Sequence, residues 1–190
     1  MANRLVVLSD LWGSKKGLWI TSYLGYLQQY FDIVYHDVRE LSDMDPMLFE
    51  PQDMIHDFFE GGGLDKAVSR LLAKEKVSSH YLTFCAGGTI AWKAALQGLP
   101  VESIYAVSPL NLHRMESRPD CAVTLVYGEY QDNRPSRNWG DQLDVSLEVI
   151  PRFGNELYSD EKIIRKVSMD LLEAVLKKKH KGFMKPLSVF

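Results

Sequence analysis

The chain has 190 residues, enough for one domain with a sizeable core. Its 46% hydrophobic and 25% charged residues are ordinary for a globular protein, and with a net charge of −3 nothing points to nucleic acid as a partner. No apolar run approaches a membrane span, and two cysteines, Cys85 and Cys121, are too few for a disulfide framework.

Arg4 to Leu8 predicts a buried strand, entered at once from the first residues with no signal-peptide pattern. With reduced cysteines, the expected setting is cytoplasmic. The loop Ser9-Asp10-Leu11-Trp12-Gly13-Ser14 follows. Leu18, Tyr23, Leu24, Leu27 and Tyr30 then mark an amphipathic helix from about Gly17 to Phe31. Asp32 to Asp37 is a second strand, and this strand–helix–strand opening predicts a parallel sheet. Residues 38–63 are the least regular: Pro46 and Pro51 break any long helix, Gln52 to Phe59 suits one short helix, and Gly61-Gly62-Gly63 is expected to be a flexible joint. Leu64, Val68, Leu71 and Leu72 lie on one face of a helix from Leu64 to Lys74.

Next comes Ser79-His80-Tyr81-Leu82-Thr83-Phe84-Cys85-Ala86-Gly87-Gly88-Thr89-Ile90-Ala91-Trp92. It predicts a buried strand, a sharp corner at Cys85 and a helix that runs to Gly98-Leu99-Pro100. Further strands are expected over Val101–Val107, Cys121–Tyr127 and Val145–Ile150. Ser108 to Asp120 reads as a polar connection, and Asp160 to Lys177 as a last helix with lysines at its end. Six strands alternating with helices predict an α/β, three-layer sandwich with a mostly parallel sheet. One domain is expected over 1–190, its core about 4–178 and its basic tail 179–190.

A strand that turns directly into a helix strains the residue at the corner and needs small neighbours. That is the physical content of the nucleophile elbow G-x-S-x-G. Here the five positions read Thr83-Phe84-Cys85-Ala86-Gly87, with a thiol at the corner and Thr83 in place of the first glycine. The stretch resembles the α/β-hydrolase superfamily, and locally the dienelactone hydrolases, whose elbow carries Cys followed by x-G-G. The resemblance implies a minimal α/β-hydrolase fold without a lid, no cofactor and no metal. It also implies a small-molecule acyl substrate or ligand. Cys85 becomes the expected nucleophile, favoured as thiolate at a helix N-terminus. The oxyanion donors implied are the N–H of Ala86 and that of Leu11 or Trp12 in the first loop.

The resemblance places an acid in Gly128-Glu129-Tyr130-Gln131-Asp132, with Asp132 the candidate and Glu129 its fallback. A histidine belongs after the last strand, in Pro151-Arg152-Phe153-Gly154-Asn155-Glu156, where Asn155 stands instead. An amide cannot accept a proton near neutral pH. Of the five histidines, His113 and His36 follow strand C-terminal ends, and His113 is the better substitute base. Two functions follow: a weak or atypical ester, thioester or lactone hydrolase using Cys85, or a catalytically degraded hydrolase fold that binds a small ligand or protein. The first loop carries neither dinucleotide nor P-loop glycines. The oligomeric state is not written in the residues.

Overall fold

The computed structural model describes residues 3–12 and 18–183. Gly13, the expected helix start at Gly17 and the end of the basic tail lie outside the described residues, as do the side chains of the lysine cluster at 177–181.

Six strands form one sheet: β1 Asn3–Leu8, β2 Phe31–His36, β3 Ser79–Phe84, β4 Val101–Val107, β5 Ala122–Gly128 and β6 Ser146–Ile150. Their order is β2-β1-β3-β4-β5-β6, and every neighbouring pair is parallel. A parallel sheet needs cover on both faces, which is why its strands read as nearly continuous apolar runs. β1 shows the arrangement. Leu5 and Val7 face α1 (Trp19–Leu27) and α7 (Glu161–Phe183), while Val6 and Leu8 face α4 (Gly63–Lys74) and α5 (Ala86–Leu96). All four side chains are fully buried. α2 (Val38–Ser42), α3 (Pro51–Phe59) and α6 (Arg137–Gln142) extend the layer that holds α4 and α5.

Three local expectations are corrected. The first helix ends at Leu27, because Phe31 already pairs with Asn3 in the sheet. α2 and α6, absent from the sequence reading, are too short to show a helical period and are held by their caps. The Asp37 carboxylate accepts from Arg39 N–H at 2.9 Å, and the Ser136 hydroxyl from Trp139 N–H at 3.2 Å. The Gly61–Gly63 joint is packed tightly: a Cβ on Gly61 would lie 2.7 Å from the Asp57 carbonyl oxygen, and Gly62 takes φ +85°.

The strand order fixes where a site can form. From β1 the chain steps outward to β2, then crosses the other face to β3, on the opposite side of β1. The carboxyl ends of β1 and β3 therefore border the point where the winding reverses, the usual ligand crevice of an open parallel sheet. The first loop, from Ser9, and Cys85 are the residues that emerge there.

Candidate active site

Cys85 lies between β3 and α5 with φ 50° and ψ −121°, a conformation that L residues adopt only under constraint. Its N–H is tied to the Val107 carbonyl at 2.9 Å, so the corner is pinned to the neighbouring strand. Gly87 and Gly88 allow the turn to close. A Cβ on Gly87 would lie 2.7 Å from the Ser9 carbonyl oxygen, and one on Gly88 2.6 Å from the Pro109 Cβ. The first contact brings the exit of β1 against the first turn of α5. As a result the backbone N–H groups of Leu11 and Ala86 both act on the Cys85 sulfur, favouring its charged form.

Several solved structures share the overall shape of this chain. A protein described as a hydrolase of the alpha/beta superfamily, from Xanthomonas campestris pv. campestris, superposes with TM-score 0.65 at 16% identity, over 90% of this chain and 99% of its own. Est1E from Butyrivibrio proteoclasticus gives TM-score 0.61 at 12% identity, over 92% and 89%. A dienelactone-hydrolase-type protein from Klebsiella pneumoniae subsp. pneumoniae gives 0.61 at 13%, over 90% and 85%. No protein-family model matches the sequence, and no curated protein matches it. The chain has the α/β-hydrolase fold.

Within that fold the sequence-derived residues are distributed unevenly. Leu11 is buried, and its amide reaches the sulfur. The Trp12 amide is engaged elsewhere, donating to Asp10 Oδ1 at 3.0 Å. Asp132 is exposed in the turn after β5 and makes no hydrogen bond or ion pair among the described residues. Glu129, its fallback, accepts from Arg152 N–H at 2.8 Å and ties the β5 exit to the loop after β6. Asn155 is exposed in that loop, and the carboxylate of the next residue, Glu156, acts on the thiol.

His113 lies half-buried in a 3-10 turn, Leu112–Arg114, on a loop strapped along α5. Thr89 Oγ1 donates to the Leu110 carbonyl at 2.7 Å and Trp92 Nε1 to the Ser117 carbonyl at 3.2 Å. His113 Nδ1 is buried and unpartnered among the described residues. His36 ends β2, two strands from β3, with Nε2 2.8 Å from Oε1 of buried Glu75, which Arg4 also holds. The groups acting most strongly on the thiol are Asp10, Leu11, Ala86 and Glu156; no imidazole is among them.

The expected thiolate is corrected by that environment. Burial pushes the Cys85 thiol up to about 12, with the Asp10 carboxylate adding to the rise and the two amide donors only partly opposing it. One loop N–H, from Leu11, and one helix-end N–H, from Ala86, do not offset the loss of water around a sulfur anion beside a carboxylate. Cys85 as a residue is half-buried.

Two residues that the motif reading left unassigned complete the site. Asp10 is 2% exposed and accepts from Tyr158 Oη at 3.1 Å through its second carboxylate oxygen. Tyr158 belongs to a 3-10 turn, Leu157–Ser159, directly after the Asn155 loop. Its ring is fixed by Trp19, at a centroid distance of 4.7 Å, and Phe84, at 5.6 Å. The sequence signal for Asp10 is a charged residue at the exit of a fully buried strand. Tyr158 has no local signal.

Proposed function

We propose that the chain binds a small carbonyl compound, an ester, thioester or lactone, and hydrolyses it slowly through Cys85. The carrying observation is that the sulfur of a strained elbow lies within reach of two backbone N–H donors, from Leu11 and Ala86. A carbonyl carbon brought to that sulfur would have its oxygen beside the same two donors, the electrostatic requirement of acyl transfer. Attack by sulfur would give a thioester acyl-enzyme, which water then hydrolyses.

The neutral thiol sets the pace. With the thiol pushed up to about 12, only about one molecule in 10⁵ carries a thiolate at pH 7. Low turnover follows without an imidazole to take the proton. The second reading, a binding protein that has lost turnover, is favoured by the exposed positions of Asp132 and Asn155. Neither side chain contributes to holding a base.

Hydrolysis of p-nitrophenyl acetate separates the two. An acyl-transfer protein gives slow release of p-nitrophenol and an acetyl group on Cys85 detectable by mass spectrometry, both abolished in Cys85→Ala. A binding protein gives neither. Release that survives in Cys85→Ala refutes the assignment of the nucleophile.

A further inference from the structure

We propose that the open groove between α1 and α7 is a binding site for an aromatic monocarboxylate. None of the residues lining it belongs to the elbow or to the loops around it, so the site stands whether or not Cys85 carries acyl transfer.

The groove follows from how the two helices are written. Toward the sheet, Ile20, Tyr23 and Leu27 of α1 and Ile164, Val167 and Leu171 of α7 share one core. Outside that seam the lining residues include Gly25 on α1 and Ser168 on α7. Small residues ordinarily let two helices close on each other. Here a Cβ on Gly25 would have nothing within 4 Å, so the space stays open. It measures about 770 Å³, within the range of small-molecule sites.

Three features state what fits there. The first is an orphaned hydroxyl. Ser168 lines the groove and is 2% exposed, yet its Oγ has no hydrogen-bond partner among the described residues. It does not donate back to the preceding turn, as helix serines commonly do. Buried hydroxyls are ordinarily paired, so this one calls for a ligand atom. The second feature is charge. Of the charged groups lining the groove, the Glu161 carboxylate already accepts from Tyr26 Oη at 2.9 Å. Arg165, one turn further along α7, makes no hydrogen bond or ion pair among the described residues. The uncommitted charge is therefore positive, and a planar guanidinium suits a carboxylate. Arg165 and Ser168 are three positions apart on one helix, and side chains at that spacing are neighbours, so one carboxylate can meet both. The third feature is the wall. Tyr26, Tyr30 and Met169 line the groove and are all exposed. Two phenol rings and a thioether favour a flat aromatic body.

The probe is naphthoate, titrated into the full chain by calorimetry, with naphthylmethanol as its uncharged counterpart. Saturable binding of naphthoate is expected, roughly fivefold tighter than that of naphthylmethanol, the most that one exposed ion pair supplies. Arg165→Gln should remove that difference and leave naphthylmethanol binding as it was. Ser168→Ala should weaken naphthoate several-fold without lowering the melting temperature of the free chain, because the hydroxyl it deletes has no partner there. Gly25→Leu adds a side chain where the groove is open and should abolish binding in a folded protein whose Cys85 alkylation is unchanged. Absence of saturable binding, equal affinity for the two probes, or binding undiminished in Ser168→Ala overturns the proposal. Binding that survives Gly25→Leu places the acid elsewhere and overturns it as well. So does a dimer, seen in sedimentation, that Gly25→Leu dissociates, since the groove then holds a second copy of the chain.

Discussion

Substituting Gly87 by alanine tests the contact on which the whole site depends. In the second position of α5 an alanine would ordinarily stabilise the helix, by about 1 kcal/mol. Here the added Cβ would lie 2.7 Å from the Ser9 carbonyl oxygen, 2.8 Å from Leu8 Cβ and 3.0 Å from the Leu8 carbonyl oxygen. Two of these three atoms are backbone of the β1 exit and cannot swing aside. Overpacking of a well-filled interior costs about 1–3 kcal/mol, and a backbone clash belongs at the upper end. Subtracting the helix gain leaves a net loss of about 2 kcal/mol. For a chain of this size that is a fall in melting temperature of about 4–8 °C. It is also a drop of about 1 M in the urea midpoint. Gly25→Ala is the internal control, since it lies within α1 with nothing within 4 Å of its Cβ position. That variant should gain about 1 kcal/mol from propensity alone. Thermal and urea unfolding of the two variants read the difference directly. If Gly87→Ala is as stable as Gly25→Ala, the β1 exit is not pressed on the elbow, and the delivery of the Leu11 amide to the sulfur loses its basis.

Alkylation of Cys85 by iodoacetamide should climb about tenfold per pH unit between pH 7 and 9 without a plateau, because only thiolate reacts; a plateau in that range would show an activated thiol and contradict a group pushed up to about 12. The same raised thiol makes folding stability fall as pH rises above the ordinary cysteine value toward 12, since only the unfolded chain releases the proton there. At acid pH the sign reverses. Burial pushes the Glu75 carboxyl up, but hydrogen bonds from Arg4 and His36 outweigh it and hold the group below the ordinary carboxylate range. Its contribution is therefore complete above that range and lost as pH falls through it, and Glu75→Gln should remove about 2–3 kcal/mol at pH 7 together with much of the acid-side slope. Asn155→His should raise p-nitrophenyl acetate turnover roughly tenfold or more by restoring an imidazole to the post-β6 loop; no gain in a folded variant would show that this loop position does not face the sulfur.

The sheet was legible because its signal is repeated. Six apolar runs, each bounded by turn residues, specify a parallel sheet even when individual ends shift by one or two residues, as at Phe31. The elbow was legible for a different reason: a strained corner between strand and helix demands small residues at fixed offsets, and Gly87 and Gly88 supply them. α2 and α6 escaped because five or six residues hold too little period to see, and only their caps, Asp37 and Ser136, mark them.

The protonation of the thiol was not legible, and its reason separates motif from mechanism. The sequence places Cys85 at a helix N-terminus, which favours an anion. That effect is local, fixed by neighbours in the chain. The opposing effects come from residues distant in the sequence: Asp10, seventy-five positions earlier, and the packing that removes water from the corner. Desolvation of a charge is the larger quantity once a group lies inside a folded chain, so the distant contribution prevails. The same distance hides Tyr158, which meets Asp10 across 148 positions because β1 and the post-β6 loop end at the same edge of the sheet. An elbow therefore identifies where chemistry is held. Whether the thiol held there keeps its proton is set by the burial and the carboxylate that the topology brings alongside it.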